Sequence, residues 1–271
     1  MGILTGLLAA YVALVGIVFV AQRNLMYHPG AANGDPTAFG VPEMQSVSVL
    51  TVDQLRLESW FSAGANDQPT LIFFQGNAGS IADRGFKIRP YLEHGYGVLL
   101  AGYRGYGGNP GSPTEAGLYD DAEAVLEFLS AQGIEPRRWV LYGESLGTGI
   151  AVEMARRQTR KSSPVHAVVL EAPFTTMGDA AANHYPYLPA RMLVRDKYDS
   201  LAKIKEIGAP LLIFHGDRDG VVPQKLGIAL FEAANEPKQS HWITGAGHND
   251  LYDFGAANEV IRFVDRQSAK R

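Results

Sequence analysis

The sequence predicts an α/β fold, a mostly parallel eight-stranded sheet with helices on both faces. Three observations predict it. Short apolar runs recur along most of the chain, segments of helical periodicity separate them, and two earlier stretches alternate apolar and polar residues. Runs that are apolar on both faces are strands buried on both faces. Helical crossovers between them make neighbouring strands parallel.

The elements follow in order. From Met1 to Gln22 no side chain is charged, and Arg23 is the first charge. About 20 apolar residues in a helix rise about 30 Å, the thickness of a hydrocarbon core, so residues 1–22 are expected to be a transmembrane anchor. A cleaved signal peptide would need a basic start and small residues before the cut, whereas nothing basic precedes this run and Phe19 lies near the end of it. Myristoylation at Gly2 would want Ser or Thr where Gly6 stands. A basic residue only after the span leans the body toward the cytoplasmic side, but a single charge leaves the membrane face open.

A polar linker with Pro and Gly occupies residues 23–44, and the catalytic-type domain is expected over 45–268. Its first two strands lie at 46–51 and 55–61. The apolar runs follow at 70–74, 97–101, 139–142, 167–170, 210–214 and 241–244. Between them, residues 114–132 form one helical stripe through Leu118, Ala122, Val125, Leu126 and Leu129. Residues 174–207 break the rhythm with Tyr185, Pro186, Tyr187 and Pro189, as a small cap inserted after the sixth strand would.

Composition excludes several classes. A net charge of −4 with scattered Lys and Arg provides no basic field for nucleic acid. With no cysteine, there is no disulfide framework, thiolate nucleophile or Cys-ligated zinc. No H-E-x-x-H-type ligand pattern occurs, so neither metal nor cofactor is expected.

Gly143-Glu144-Ser145-Leu146-Gly147 matches G-x-S-x-G between the run at 139–142 and a helical stretch. In that context the serine sits on a tight strand-to-helix turn that lifts its hydroxyl above the sheet, the nucleophile elbow of the α/β-hydrolase fold. The glycines two residues either side are needed because larger side chains would meet the neighbouring strand and helix. The competing reading is an ordinary glycine turn.

A serine hydroxyl needs a base, and the base works best when a carboxylate holds one tautomer. In this fold the order is Ser, acid, His. Asp219 lies in the loop closing the seventh strand, in His215-Gly216-Asp217-Arg218-Asp219. Asp217 is the neighbouring alternative, the competing structural reading makes both turn formers, and Glu171 is held in reserve. Only His241 and His248 follow the acid. His241 opens a strand, and His248 lies in a loop after one, so His248 is the candidate base. For the oxyanion, the backbone N–H of Leu146 is one donor and that of Asn77, in the loop 75–80, the other. A plain turn capped by Ser80 would fit that loop as well.

The segments GNAG (76–79), YRGYGGNPGSPTEAGLYDDA (103–122), GESLG (143–147), HGDRD (215–219) and GAGHND (245–250), behind an apolar N-terminus, resemble the BEM-type α/β hydrolases. That group includes the membrane-anchored ABHD lysophospholipid lipases and protein depalmitoylases, and the likeness spans roughly residues 20–265. It implies Ser145, Asp219 and His248 as triad, Asn77 and Leu146 as oxyanion donors, and cofactor-free hydrolysis of an acyl ester or thioester. Two positions depart from the pattern: Gln75 stands where His usually opens the oxyanion loop, and Gly102 where Asp commonly precedes the YRGYG tyrosine. The depalmitoylases carry a Cys-rich N-terminus, which this chain lacks. Arg104 is expected to brace loops rather than bind substrate.

The expected function is therefore a membrane-anchored serine hydrolase that cleaves lipid-like acyl esters through an acyl-enzyme. Peptidase or thioesterase chemistry uses the same triad, and a non-catalytic scaffold is the rival outside enzymes.

Overall fold

The computed structural model describes residues 2–65 and 67–269. The strands are β1 (Gln45–Leu50), β2 (Arg56–Ser62), β3 (Thr70–Phe74), β4 (Gly97–Leu100), β5 (Trp139–Glu144), β6 (Ala167–Glu171), β7 (Leu211–Gly216) and β8 (Lys238–Ile243). They form one sheet in the order β1-β2-β4-β3-β5-β6-β7-β8. The pairs β1–β2 and β2–β4 are antiparallel, and all later pairs are parallel.

The helices are α1 (Gly2–Met26), α2 (Gly85–Glu93), α3 (Glu115–Ala131), α4 (Leu146–Arg160), α5 (Met177–His184), α6 (Ala190–Leu193), α7 (Gln224–Ala233) and α8 (Ala256–Ser268). Strand side chains alternate between two cores, as the pleat requires. Ile72, Leu141, Val168 and Ile213 pack under α3, α4 and α7, while Phe73, Tyr142, Val169 and Phe214 pack under α2 and α8. Thr114 caps α3 by accepting the Gly117 N–H at 3.0 Å, which sets the start of the helix.

Three details differ from the sequence reading. β8 begins at Lys238 rather than His241 and pairs with β7 along its whole length. It is an edge strand, so its first half is polar and carries no apolar signal. α1 runs to Met26, and residues 28–29 pair in parallel with residues 78–79. The linker is thus tied into the domain, with Tyr27 and Val41 buried. Finally, Arg23 lies inside α1 and its guanidinium forks onto Asp196 at 2.8 and 3.0 Å, anchoring the helix to the cap. The cap itself carries α5 and α6 between β6 and β7.

Candidate active site

Parallel pairing places Gly143 of β5 beside Phe74 of β3 and Leu170 of β6 at the carboxyl edge of the sheet. There the chain turns sharply into α4. Ser145 holds φ 50° and ψ −113°, a conformation that costs a non-glycine residue about 1–3 kcal/mol and persists because its surroundings over-determine it. Its N–H donates to the Glu171 carbonyl at 2.9 Å, and its carbonyl accepts from the Thr148 N–H and hydroxyl. A Cβ on Gly147 would lie 1.9 Å from the Phe74 carbonyl oxygen, and one on Gly143 2.5 Å from the Gly147 oxygen. Sterics alone therefore account for both glycines.

The loops after β7 and β8 bring Asp219 and His248 to the same edge. His248 Nε2 is 3.1 Å from Ser145 Oγ, and His248 Nδ1 is 2.7 Å from Asp219 Oδ2. A carboxylate only accepts, so Nδ1 carries a proton and Nε2 of the neutral ring is free to accept from the serine. Asp219 Oδ1 accepts the N–H groups of Val221 and Val222, and Oδ2 also lies 3.1 Å from His215 Nε2. Burial opposes the charge on Asp219, but His215, His248 and the Val222 N–H outweigh it. They hold the carboxyl well below the usual carboxylate range.

The alternative acids have other partners. Asp217 accepts the Gly245 N–H at 2.7 Å and ties the two loops together. Glu171 is buried and accepts from Lys87 Nζ at 2.7 Å and from the Tyr142 hydroxyl at 2.5 Å. His241 lies within β8. Arg104 bonds Asp121 and Asp53, an inter-loop brace.

Leu146 opens α4, where the helix leaves its N–H without an intrahelical acceptor. Asn77 lines the same cavity as Ser145 and Leu146, and its loop is braced from three sides. The Asn77 carbonyl accepts from the His28 N–H at 2.9 Å and the Tyr106 hydroxyl at 2.8 Å, and its side chain donates to the Met26 carbonyl at 2.8 Å.

The sequence reading missed the support beneath the elbow. Glu144 accepts from Arg84 Nε at 2.7 Å, Lys87 Nζ at 2.8 Å and the Gly76 N–H at 3.3 Å, which joins the elbow to the loop 75–80. Burial opposes this charge too, and the Lys87 and Arg84 cations override it, lowering the pKa from 4.5 to about 2. The available signal was Lys87, a charge beside Ile88 and Tyr91 on the buried side of α2.

Ser145 faces a cavity of about 390 Å³, within the size range of small-molecule sites. Its walls are mainly apolar: Met177, Leu188 and Leu193 come from the cap, and Val15, Val18 and Phe19 from α1.

Residues 69–193 match the family model of the alpha/beta hydrolase fold. A Mycobacterium tuberculosis protein, Rv2307c, is 40% identical over 266 residues, covering 93% of this chain and 92% of its own. The lysophosphatidylserine lipase ABHD12 of Danio rerio is 32% identical over 201 residues, 68% of this chain and 52% of its own. The solved Pyrococcus furiosus esterase Pf2001 superposes with a TM-score of 0.69 at 22% identity, covering 89% of this chain and 98% of that one, a likeness of fold. The chain belongs to the α/β-hydrolase family, in the branch that contains the bem46 protein of Schizosaccharomyces pombe and the ABHD proteins.

Proposed function

We propose that the protein is a membrane-anchored serine hydrolase that cleaves carboxylic esters with lipid-like acyl groups through an acyl-enzyme. The observation that carries this reading is the continuous relay from Ser145 Oγ to His248 Nε2 (3.1 Å) and from His248 Nδ1 to Asp219 (2.7 Å). Ser145 Oγ attacks the ester carbonyl carbon as His248 Nε2 takes its proton. Asp219 stabilises the imidazolium and keeps the ring oriented. The N–H groups of Leu146 and Asn77 receive the oxyanion, each such donor contributing about 3 kcal/mol to the transition state. The carbon–oxygen bond to the leaving alcohol breaks, and His248 gives that oxygen its proton. Water repeats the sequence: it loses a proton to His248, releases the acid, and the proton returns to Ser145.

The mainly apolar cavity supports an acyl chain as the recognised group, and the esterase and lipase relatives support ester chemistry. The uncharged stretch of α1, long enough to cross a hydrocarbon core, supports the anchor. The test is labelling of purified full-length protein with a fluorophosphonate, together with turnover of matched esters, thioesters and amides. Labelling and ester turnover that vanish in Ser145→Ala are expected. An unlabelled wild type would favour the scaffold reading, and amide turnover above ester turnover would favour a peptidase.

A further inference from the structure

The anchor helix and the cavity at Ser145 are one structure. Val15, Val18, Phe19 and Gln22 of α1 line that cavity together with Ser145. The helix is latched to the cap along its length. The Tyr11 hydroxyl donates to the Tyr187 carbonyl at 2.9 Å, Gln22 Oε1 accepts the Arg195 N–H at 2.8 Å, and Arg23 pairs with Asp196. Tyr11 lies twelve residues before Arg23, so the cap follows the helix for about 18 Å from its first charge. If residues 2–22 lie in hydrocarbon, the part of the cap beside Tyr11 lies there too. The cap's exposed side chains suit that depth: Tyr187 is 63% and Met192 84% exposed.

From this geometry we infer that the cavity takes a single acyl chain of a bilayer lipid ester, entering sideways along α1, and that Val18 and Phe19 set the accepted chain length. The inference rests on the serine-hydrolase reading above. A chain entering along the helix would remain in an apolar environment until its ester reached Ser145 at the carboxyl edge of the sheet. Transfer of the chain through water would be avoided, which is the costly step for a long acyl group.

The test uses the full-length protein in phosphatidylcholine vesicles with nitrophenyl esters from acetate to palmitate. Val18→Trp narrows the wall and is expected to lower the ratio of palmitate to acetate turnover about tenfold or more. Val20→Trp places the same bulk on the open side of the helix, where Val20 is 79% exposed, and is expected to leave the ratio as in wild type. Should Val18→Trp fail to fold, Phe19→Ala removes bulk from the wall and is expected to shift the optimum to longer chains. Palmitate ester placed in the protein's own vesicles is expected to turn over faster than the same ester in separate vesicles.

An active wild type whose chain-length profile is the same in Val18→Trp and Phe19→Ala overturns this inference alone. Equal rates from the two vesicle arrangements overturn the sideways route. A wild type that neither takes up fluorophosphonate nor cleaves any ester overturns the hydrolase reading, and this inference with it.

Discussion

Ser145, His248 and Asp219 come from three separate turns; Ser145 and Asp219 each have backbone contacts of their own, whereas the bonds of His248 run to the other two. Ser145 is fixed by the Glu171 carbonyl and Asp219 by two N–H groups of its own loop. Asp219→Asn would keep that shape but reverse the preferred imidazole tautomer, and kcat is expected to fall about 10⁴-fold. Asp217→Asn loses the charge but keeps an amide oxygen to accept the Gly245 N–H, so its ester turnover is expected to stay close to wild type in the same assay. If the two variants exchanged these outcomes, the acid would be Asp217. All three groups stand as candidates in the sequence because the chain order Ser, acid, His is fixed for this fold. The pattern H-G-x-x-D favours Asp219 over Asp217 and Glu171, but the contact itself is not readable there, since it depends on which carboxylate faces an imidazole some 30 to 80 residues away.

The elbow and its neighbours depend on close packing between elements. Gly147→Ala would drive a methyl group to within 1.9 Å of the Phe74 carbonyl oxygen, where backbone rather than a flexible side chain must yield. Loss of about 3 kcal/mol or more, or insoluble protein, is expected in thermal melts. Beneath the elbow, the pairing of Glu144 with Lys87 and Arg84 depresses a carboxylate pKa from 4.5 to about 2. A depressed carboxyl stabilises the fold fully above about pH 4.5, and that contribution fades as pH falls toward 2. Glu144→Gln is therefore expected to melt well below wild type at pH 7, with the gap closing between pH 5 and 2.5. A gap that stays constant with pH would show that the pairing contributes no stability. The glycines of this element are legible because their steric requirement is local. The charge cluster is not, because G-x-S-x-G leaves Glu144 as any residue and α2 reads as an ordinary amphipathic helix.

At the scale of the molecule, α1 does more than its composition announces. Its 25 residues are apolar enough to cross a bilayer, yet their last turns also hold the cap and, through the Met26 carbonyl, the Asn77 side chain of the loop 75–80. Full-length protein is expected to sediment with membranes and to resist alkaline carbonate while yielding to detergent. Release by carbonate alone would show a peripheral attachment.

The residues alone determine the α/β layering, the strand-to-helix elbow, the late candidates for acid and base, and the apolar N-terminal helix. Each follows from local periodicity, steric demand or chain order, properties carried by neighbouring residues. The tertiary structure decides which carboxylate meets His248, that Glu144 joins the elbow to the loop 75–80, that residues 28–29 pair with residues 78–79, and that α1 walls the cavity. Periodicity tells a residue which side of its own element is buried. Which distant element covers that side is settled only when the sheet order brings remote segments together.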